Sequence, residues 1–158
     1  MAAAAARLCE VVAAANNTMP GRRRKARELA LQFLYQLEQN GATDPRPFEA
    51  DFWARHPVDD EARAFADSLV QGAKRQQGEI DKRIAECAEH WDLDRMAVVD
   101  RNILRLAVYE LLFEPGVPGK VTINEAIEIA KKFGTTESSR FINGVLDRIL
   151  REQRATSA

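Results

Sequence analysis

The sequence predicts an all-α protein, seven helices joined by short loops into a helical bundle that forms one compact domain. Three observations carry this. Apolar residues recur at three- and four-residue intervals almost everywhere after Gly21, and no stretch alternates with the period of two that a half-buried strand needs. Helix stops and starts punctuate the pattern at Asn40-Gly41, His56-Pro57, Gly134 and Pro115-Gly116-Val117-Pro118-Gly119. A chain of 158 residues, 46% hydrophobic, has the length of one domain and buries a core without disulfides or metals.

The elements follow in order. Met1–Thr18 is alanine-rich, interrupted by Arg7, Glu10, Asn16 and Asn17, and lacks the apolar run of a secretory signal. A disordered extension is expected over residues 1–21, with Met19-Pro20-Gly21 an equally good start for the functional part. The helical domain is expected over 22–153 and a flexible tail over 154–158. The first helix spans about Arg23–Gln39, turning Ala26, Ala30, Phe33, Leu34 and Leu37 inward, and Asn40-Gly41 closes it. Pro45-Arg46-Pro47 leads to a short helix over about Phe48–Arg55 that carries Phe52 and Trp53. Asp59 N-caps a helix to about Gln77, with Ala62, Phe65, Ala66, Leu69 and Val70 inside.

Gly78 separates that helix from one whose stripe is Ile80, Ile84, Cys87 and Trp91. Asp94–Glu114 is the most hydrophobic helix, apolar on both sides, and is therefore central. Thr122-Ile123-Asn124-Glu125 has the form of a capping box and opens a helix to Phe133. Thr135 or Thr136 caps the last helix, about Glu137–Gln153. Gly144 in its middle costs about 1 kcal/mol against alanine, which the close approach of another helix would offset.

Several function classes are excluded. No stretch approaches the roughly 20 apolar residues of a bilayer span. Cys9 and Cys87 lie far apart, without a disulfide framework or zinc-ligand spacing, which fits a reducing, cytoplasmic setting. His56 and His90 are isolated, and neither Glu86/His90 nor Glu125/Glu128 supplies the paired Glu-x-x-His of a di-metal site. No glycine-rich phosphate loop or G-x-S-x-G elbow is present. A non-enzyme without cofactor or metal is expected, and Cys87 at a core position is expected to be inert packing.

The sharpest local feature is Arg22-Arg23-Arg24-Lys25-Ala26-Arg27, a basic run at a helix N-terminus. Cations there oppose the helix dipole, each at a few tenths of a kcal/mol, so the run suits an anionic partner; a solvated charge run beside a tail is the other reading. A net charge of −1 argues against a protein that coats nucleic acid with its whole surface. Tyr35 shares a helix face with basic residues, Gln32 flanks it, and Phe141 stands beside Arg140. Exposed rings next to cations are what single-stranded RNA recognition uses, bases stacking while phosphates meet arginine. The alternative is that both rings merely edge the core. The acid-rich segment Glu86–Asp94 around Trp91, with Asp100, Arg101, Tyr109 and Glu110, offers a mixed-charge docking face or ordinary surface solubility.

Several segments, in order, resemble one family. They are the basic run with Ala26-Arg27-Glu28-Leu29-Ala30-Leu31-Gln32-Phe33-Leu34-Tyr35; Trp91-Asp92-Leu93-Asp94-Arg95-Met96; Ile103-Leu104-Arg105-Leu106-Ala107-Val108-Tyr109-Glu110-Leu111; Val121 to Gly134; and Ser139-Arg140-Phe141-Ile142-Asn143-Gly144-Val145-Leu146-Asp147. Over about Arg22–Arg151 the chain resembles the NusB family. The resemblance implies a seven-helix fold in two bundles and an antitermination factor that binds single-stranded boxA RNA of nascent ribosomal transcripts. It further implies the ribosomal protein NusE as co-ligand and a complex with NusA, NusG and RNA polymerase, while a homodimer that hides the RNA face stays open. Carried over, Arg23, Arg24, Lys25 and Arg27 would meet phosphates, and Gln32, Tyr35, Phe133 and Phe141 would serve bases. By the same resemblance Glu137 lies where the family commonly has an acidic residue near the RNA face, and Tyr109 and Glu110 are candidates for NusE. The long alanine-rich leader departs from the family pattern.

Two other readings remain. A NusB-like domain also precedes the catalytic domain of a family of ribosomal RNA cytosine methyltransferases, and a chain of 158 residues is expected to lack that domain. A docking scaffold or DNA-binding regulator would use the basic arm nonspecifically, but no helix pair with a polar recognition helix is evident.

Overall fold

The computed structural model describes residues 19–157 apart from His90. The alanine-rich segment to residue 18, Cys9, His90 and Ala158 lie outside the described residues. Within them the chain folds into seven α-helices: α1 (Met19–Gln39), α2 (Arg46–Arg55), α3 (Asp60–Arg75), α4 (Gln77–Cys87), α5 (Val98–Phe113), α6 (Gly119–Phe133) and α7 (Ser138–Ser157). A short 3-10 turn, Leu93–Arg95, precedes α5. No helix among the described residues is long and apolar enough to cross a membrane.

The hydrophobic α5 is the hub. It packs against α1, α3, α4, α6 and α7, and so joins the N-terminal helices to the C-terminal ones. Ile103, Leu104, Leu106, Ala107 and Val108 are buried around its girth. An aromatic cluster pins α2: Phe33 lies 4.4 Å from Phe52, whose ring meets Trp53 edge-on at 4.9 Å. The Trp53 indole N–H donates to Asp67 on α3 at 2.7 Å.

Local chemistry explains where helix boundaries depart from expectation. At Gly41 the match is close: φ is +62°, Ala42 N–H donates to Leu37 O and Gly41 N–H to Glu38 O, a Schellman stop. The short helix begins two residues early because Asp44 accepts the Arg46 N–H at 3.0 Å and Pro47 has no N–H to satisfy. The break between α3 and α4 falls at Gln76, before Gly78, and α4 ends at Cys87, which leaves Trp91 out of its core stripe. Met96 and Ala97 are extended, so the central helix starts at Val98 rather than Asp94.

The capping box at Thr122 is not formed. Helix α6 already begins at Gly119 behind Pro118, Thr122 is buried in its first turns, and Glu125 reaches across to Arg24 instead. The start of α7 is organised by Ser138, whose Oγ accepts the Thr135 N–H at 2.9 Å. At the other end α7 continues to Ser157, so residues 154–157 are helix rather than a tail, with the Thr156 hydroxyl donating to Glu152 O. Gly144 carries no close approach: an added Cβ there meets nothing within 4 Å. The glycine at a helix crossing is Gly72, where a Cβ would lie 2.1 Å from the Tyr109 ring. Cys87 is buried, and burial pushes its thiol above the usual range, as suits inert packing.

Candidate nucleic-acid interface

Two hollows open on either side of the first turn of α5. The larger, about 510 Å³, lies between α1, the end of α2, α5 and the end of α6. Gln32, Tyr35, Gln36 and Gln39 of α1 line it with His56, Val99, Asn102 and Phe133. A helix advances 100° per residue, which sets Gln32, Tyr35, Gln36 and Gln39 on one face opposite the Phe33–Leu37 core stripe. Tyr35 is 47% exposed and Phe133 36%. The Lys132 ammonium stands 5.3 Å from the Phe133 ring centroid. His56 stacks on Phe52 at 4.3 Å, and its Nδ1 lies 3.0 Å from Phe52 O, which holds the ring at the mouth.

The second hollow, about 460 Å³, is lined by Trp91, Arg95, Met96, Ala97, Asp100, Glu137, Arg140 and Phe141. Trp91 and Phe141 meet edge-on at 6.3 Å, and Trp91 is 53% exposed. Asp100 Oδ1 is buried there without a hydrogen-bond partner. The expected residues Gln32, Tyr35 and Phe133 thus share one hollow and Glu137 and Phe141 the other, with α5 between them.

The basic arm is dispersed. Arg22 pairs with Asp59 and Glu61 across the gap to α3 at 2.8 and 2.9 Å. Arg24 forks onto Glu125 of α6 at 2.8 and 3.1 Å, and the carboxylate holds its guanidinium more firmly charged. Arg23 turns to α3, 5.2 Å over the Phe65 ring. Among the described residues Arg23 and Lys25 are the members of the run without an ion pair. Much of the anion that the run requires is therefore supplied by the chain's own carboxylates. Because α1 begins at Met19, most of the run also sits beyond the first turn, where the dipole penalty is felt.

Three assignments need correction. Arg27 is 4% exposed and grips Glu110, itself 2% exposed, through three hydrogen bonds of 2.7–3.2 Å. A guanidinium so committed does not face a phosphate, nor does Glu110 face a partner. Tyr109 is 6% exposed, its ring against Gly72 and stacked on Phe113 at 5.6 Å. The mixed-charge docking face around Trp91 is accordingly not continuous, since Tyr109 and Glu110 are interior and Arg101 pairs with Glu38.

Sequence reasoning missed Gln36, Gln39 and His56 as part of the larger hollow. The glutamines repeat on the Tyr35 face and were legible, whereas His56 reads only as part of a helix stop. Lys132 was also missed, and it pairs with Glu28 of α1 at 3.0 Å, tying α6 to the Tyr35 face. Among the described residues no group of three or more His, Cys, Asp or Glu is placed to hold a metal.

The model of the NusB family matches residues 24–151. A transcription antitermination protein NusB from Desulfosudis oleivorans is 47% identical over 138 residues, covering 86% of this chain and 90% of the relative. The solved structure of T. maritima NusB superposes with a TM-score of 0.74 at 40% identity, covering 86% of this chain and 97% of that one. The crystal structure of antitermination factors NusB and NusE in complex with dsRNA superposes with a TM-score of 0.74 at 30% identity, covering 82% and 96%.

Proposed function

The chain belongs to the NusB family, and we propose that it is a non-catalytic antitermination factor that binds single-stranded boxA RNA together with the ribosomal protein NusE. In this reading it acts in the elongation complex of RNA polymerase with NusA and NusG. The carrying observation is the pair of aromatic hollows on either side of the start of α5, each with polar groups that can meet base edges. Tyr35 and Phe133 offer ring faces in one, and Phe141 and Trp91 in the other. Gln32 and Gln36 carry both donors and acceptors, while Glu137 and Asp100 accept from exocyclic amines.

The solved complex of antitermination factors NusB and NusE with dsRNA, to which this chain is similar, supports an RNA partner. The hollows favour a single strand, because a base must leave its stack to enter one. Phosphates along that path would meet Lys25, Arg140 and Arg23 first, and Arg24 only in exchange for Glu125. Arg27, Tyr109 and Glu110 hold the scaffold.

The test is binding of boxA RNA, a scrambled strand and a boxA duplex, with and without NusE. Preference for the boxA strand that sharpens with NusE is expected; equal binding to all three overturns the reading. Tyr35→Ala and Phe141→Ala each cost about 1–3 kcal/mol of affinity if the rings stack on bases. Three unpaired cations give a log–log salt slope of about −2, at roughly −0.7 each, where five would give about −3.5.

A further inference from the structure

On the side of α5 away from the second hollow, α1, α3, α4 and α5 enclose a small polar hollow of about 90 Å³. Glu38, Lys74, Gln77, Asn102 and Arg105 line it. Its charged groups are committed, with one exception. Glu38 takes Arg101, and Arg105 forks onto Asp81 at 2.9 and 3.0 Å while reaching Asn102 Oδ1 at 3.3 Å. Lys74, half-buried near the end of α3, has neither an ion pair nor a hydrogen bond among the described residues.

Burial and the fixed positive charge of Arg105 both disfavour its ammonium form, and Glu38 and Asp81 offset only part of this, so its proton affinity falls below that of an ordinary lysine. At pH near 7.4 only about one exposed lysine in a thousand is neutral, and any such fall multiplies the nucleophilic fraction. Desolvation beside a second cation is a recognised way to activate an amine.

We propose that Lys74 is a site of Nε-acylation by small acyl phosphates, the mixed anhydrides of a carboxylic acid and phosphoric acid. The neutral amine attacks the acyl carbon, and a C–N bond forms. The acyl C–O bond breaks with its electron pair leaving on inorganic phosphate, and the surplus ammonium proton passes to solvent. Nothing is oxidised or reduced. The amide of Gln77, and the two guanidinium N–H groups of Arg105 that Asp81 and Asn102 do not take, are the donors at the hollow in which negative charge develops on the carbonyl oxygen and the departing phosphate.

The test is incubation of the folded protein with acetyl phosphate at pH 7.4 and mapping of acetyl-lysine by mass spectrometry over time. Lys82 and Lys120, exposed and unpaired, are the internal standards. Lys74 should be acetylated several-fold faster than either, and the preference should vanish in denaturant. Competitive labelling with trace acetic anhydride across pH 7–10 should show the Lys74 rate levelling off at lower pH than its comparators, which mere accessibility does not produce. Lys74→Arg confirms the assignment by losing that one modification while keeping the charge. Labelling of Lys74 no faster than Lys82 and Lys120, or with the same pH midpoint, overturns the proposal.

Discussion

The Arg27–Glu110 pair gives the most informative perturbation, because it separates a structural role from an RNA-contacting one. Both side chains are 5% exposed or less, and three hydrogen bonds join them. The Arg27 guanidinium also lies 5.4 Å over the Phe65 ring. Glu110→Gln keeps the shape but leaves a buried guanidinium without its counter-charge, at a cost of about 3–5 kcal/mol. With about 2–4 °C lost per kcal/mol in a domain of this size, the thermal midpoint should fall by roughly 6–20 °C. Arg27→Met should be similarly costly, since it strands the carboxylate. The double variant Arg27→Met/Glu110→Leu removes both charges, and such replacements range from neutral to about 1–4 kcal/mol stabilising. Urea melts of the parent, Arg27→Met, Glu110→Leu and the double variant therefore give a strongly non-additive cycle. RNA affinity per folded molecule should stay at the parent value in the double variant. A Glu110→Gln cost below about 1 kcal/mol, as for an exposed pair, would refute the burial argument. Lost RNA affinity in a stable double variant would return Arg27 to the interface.

Three further outcomes follow from the structure. Asp59 accepts the Ala62 N–H at 2.8 Å as N-cap of α3, so Asp59→Ala should cost about 1 kcal/mol, while Asp59→Asn keeps the cap and costs less. Arg22 first and the Ala62 amide second hold the Asp59 carboxyl below the ordinary aspartate range. Its contribution is thus complete above about pH 4 and lost as pH falls through the folded value, so the parent and Asp59→Ala melts should converge in acid. Thr122 is 1% exposed and its hydroxyl makes no hydrogen bond, so the near-isosteric Thr122→Val should raise stability by about 1 kcal/mol in urea melts. Calorimetry should rank the two glycines oppositely: Gly144→Ala gains about 0.5–1 kcal/mol, whereas Gly72→Ala drives a methyl into Tyr109 and loses about 1–3 kcal/mol or more.

The glycines also show how much of the fold was legible. Apolar spacing identifies all seven helices and the central place of α5, because a helix buried on two sides must be apolar on two sides. Spacing cannot say which neighbour comes closest. Gly144 drew attention as a cost in search of a reason, yet it faces open space, while Gly72 passes unnoticed and is where α3 meets Tyr109. The basic arm has the same blind spot. Read along the chain it is one cluster, but its partners lie far away in sequence: Asp59, 37 residues from Arg22; Glu110, 83 from Arg27; and Glu125, 101 from Arg24. A helical period fixes the direction in which a charge points and leaves open whether a carboxylate waits there. The aromatics escape this ambiguity. Tyr35 lies across the helix from the stripe that must be buried, so its exposure follows from the period alone, and long-range pairing does not remove a ring from solvent as it neutralises a charge. In a helical protein of this kind, an aromatic off the core stripe is thus better evidence for a binding face than a run of cations, and only cations that the fold leaves unpaired should be counted toward it.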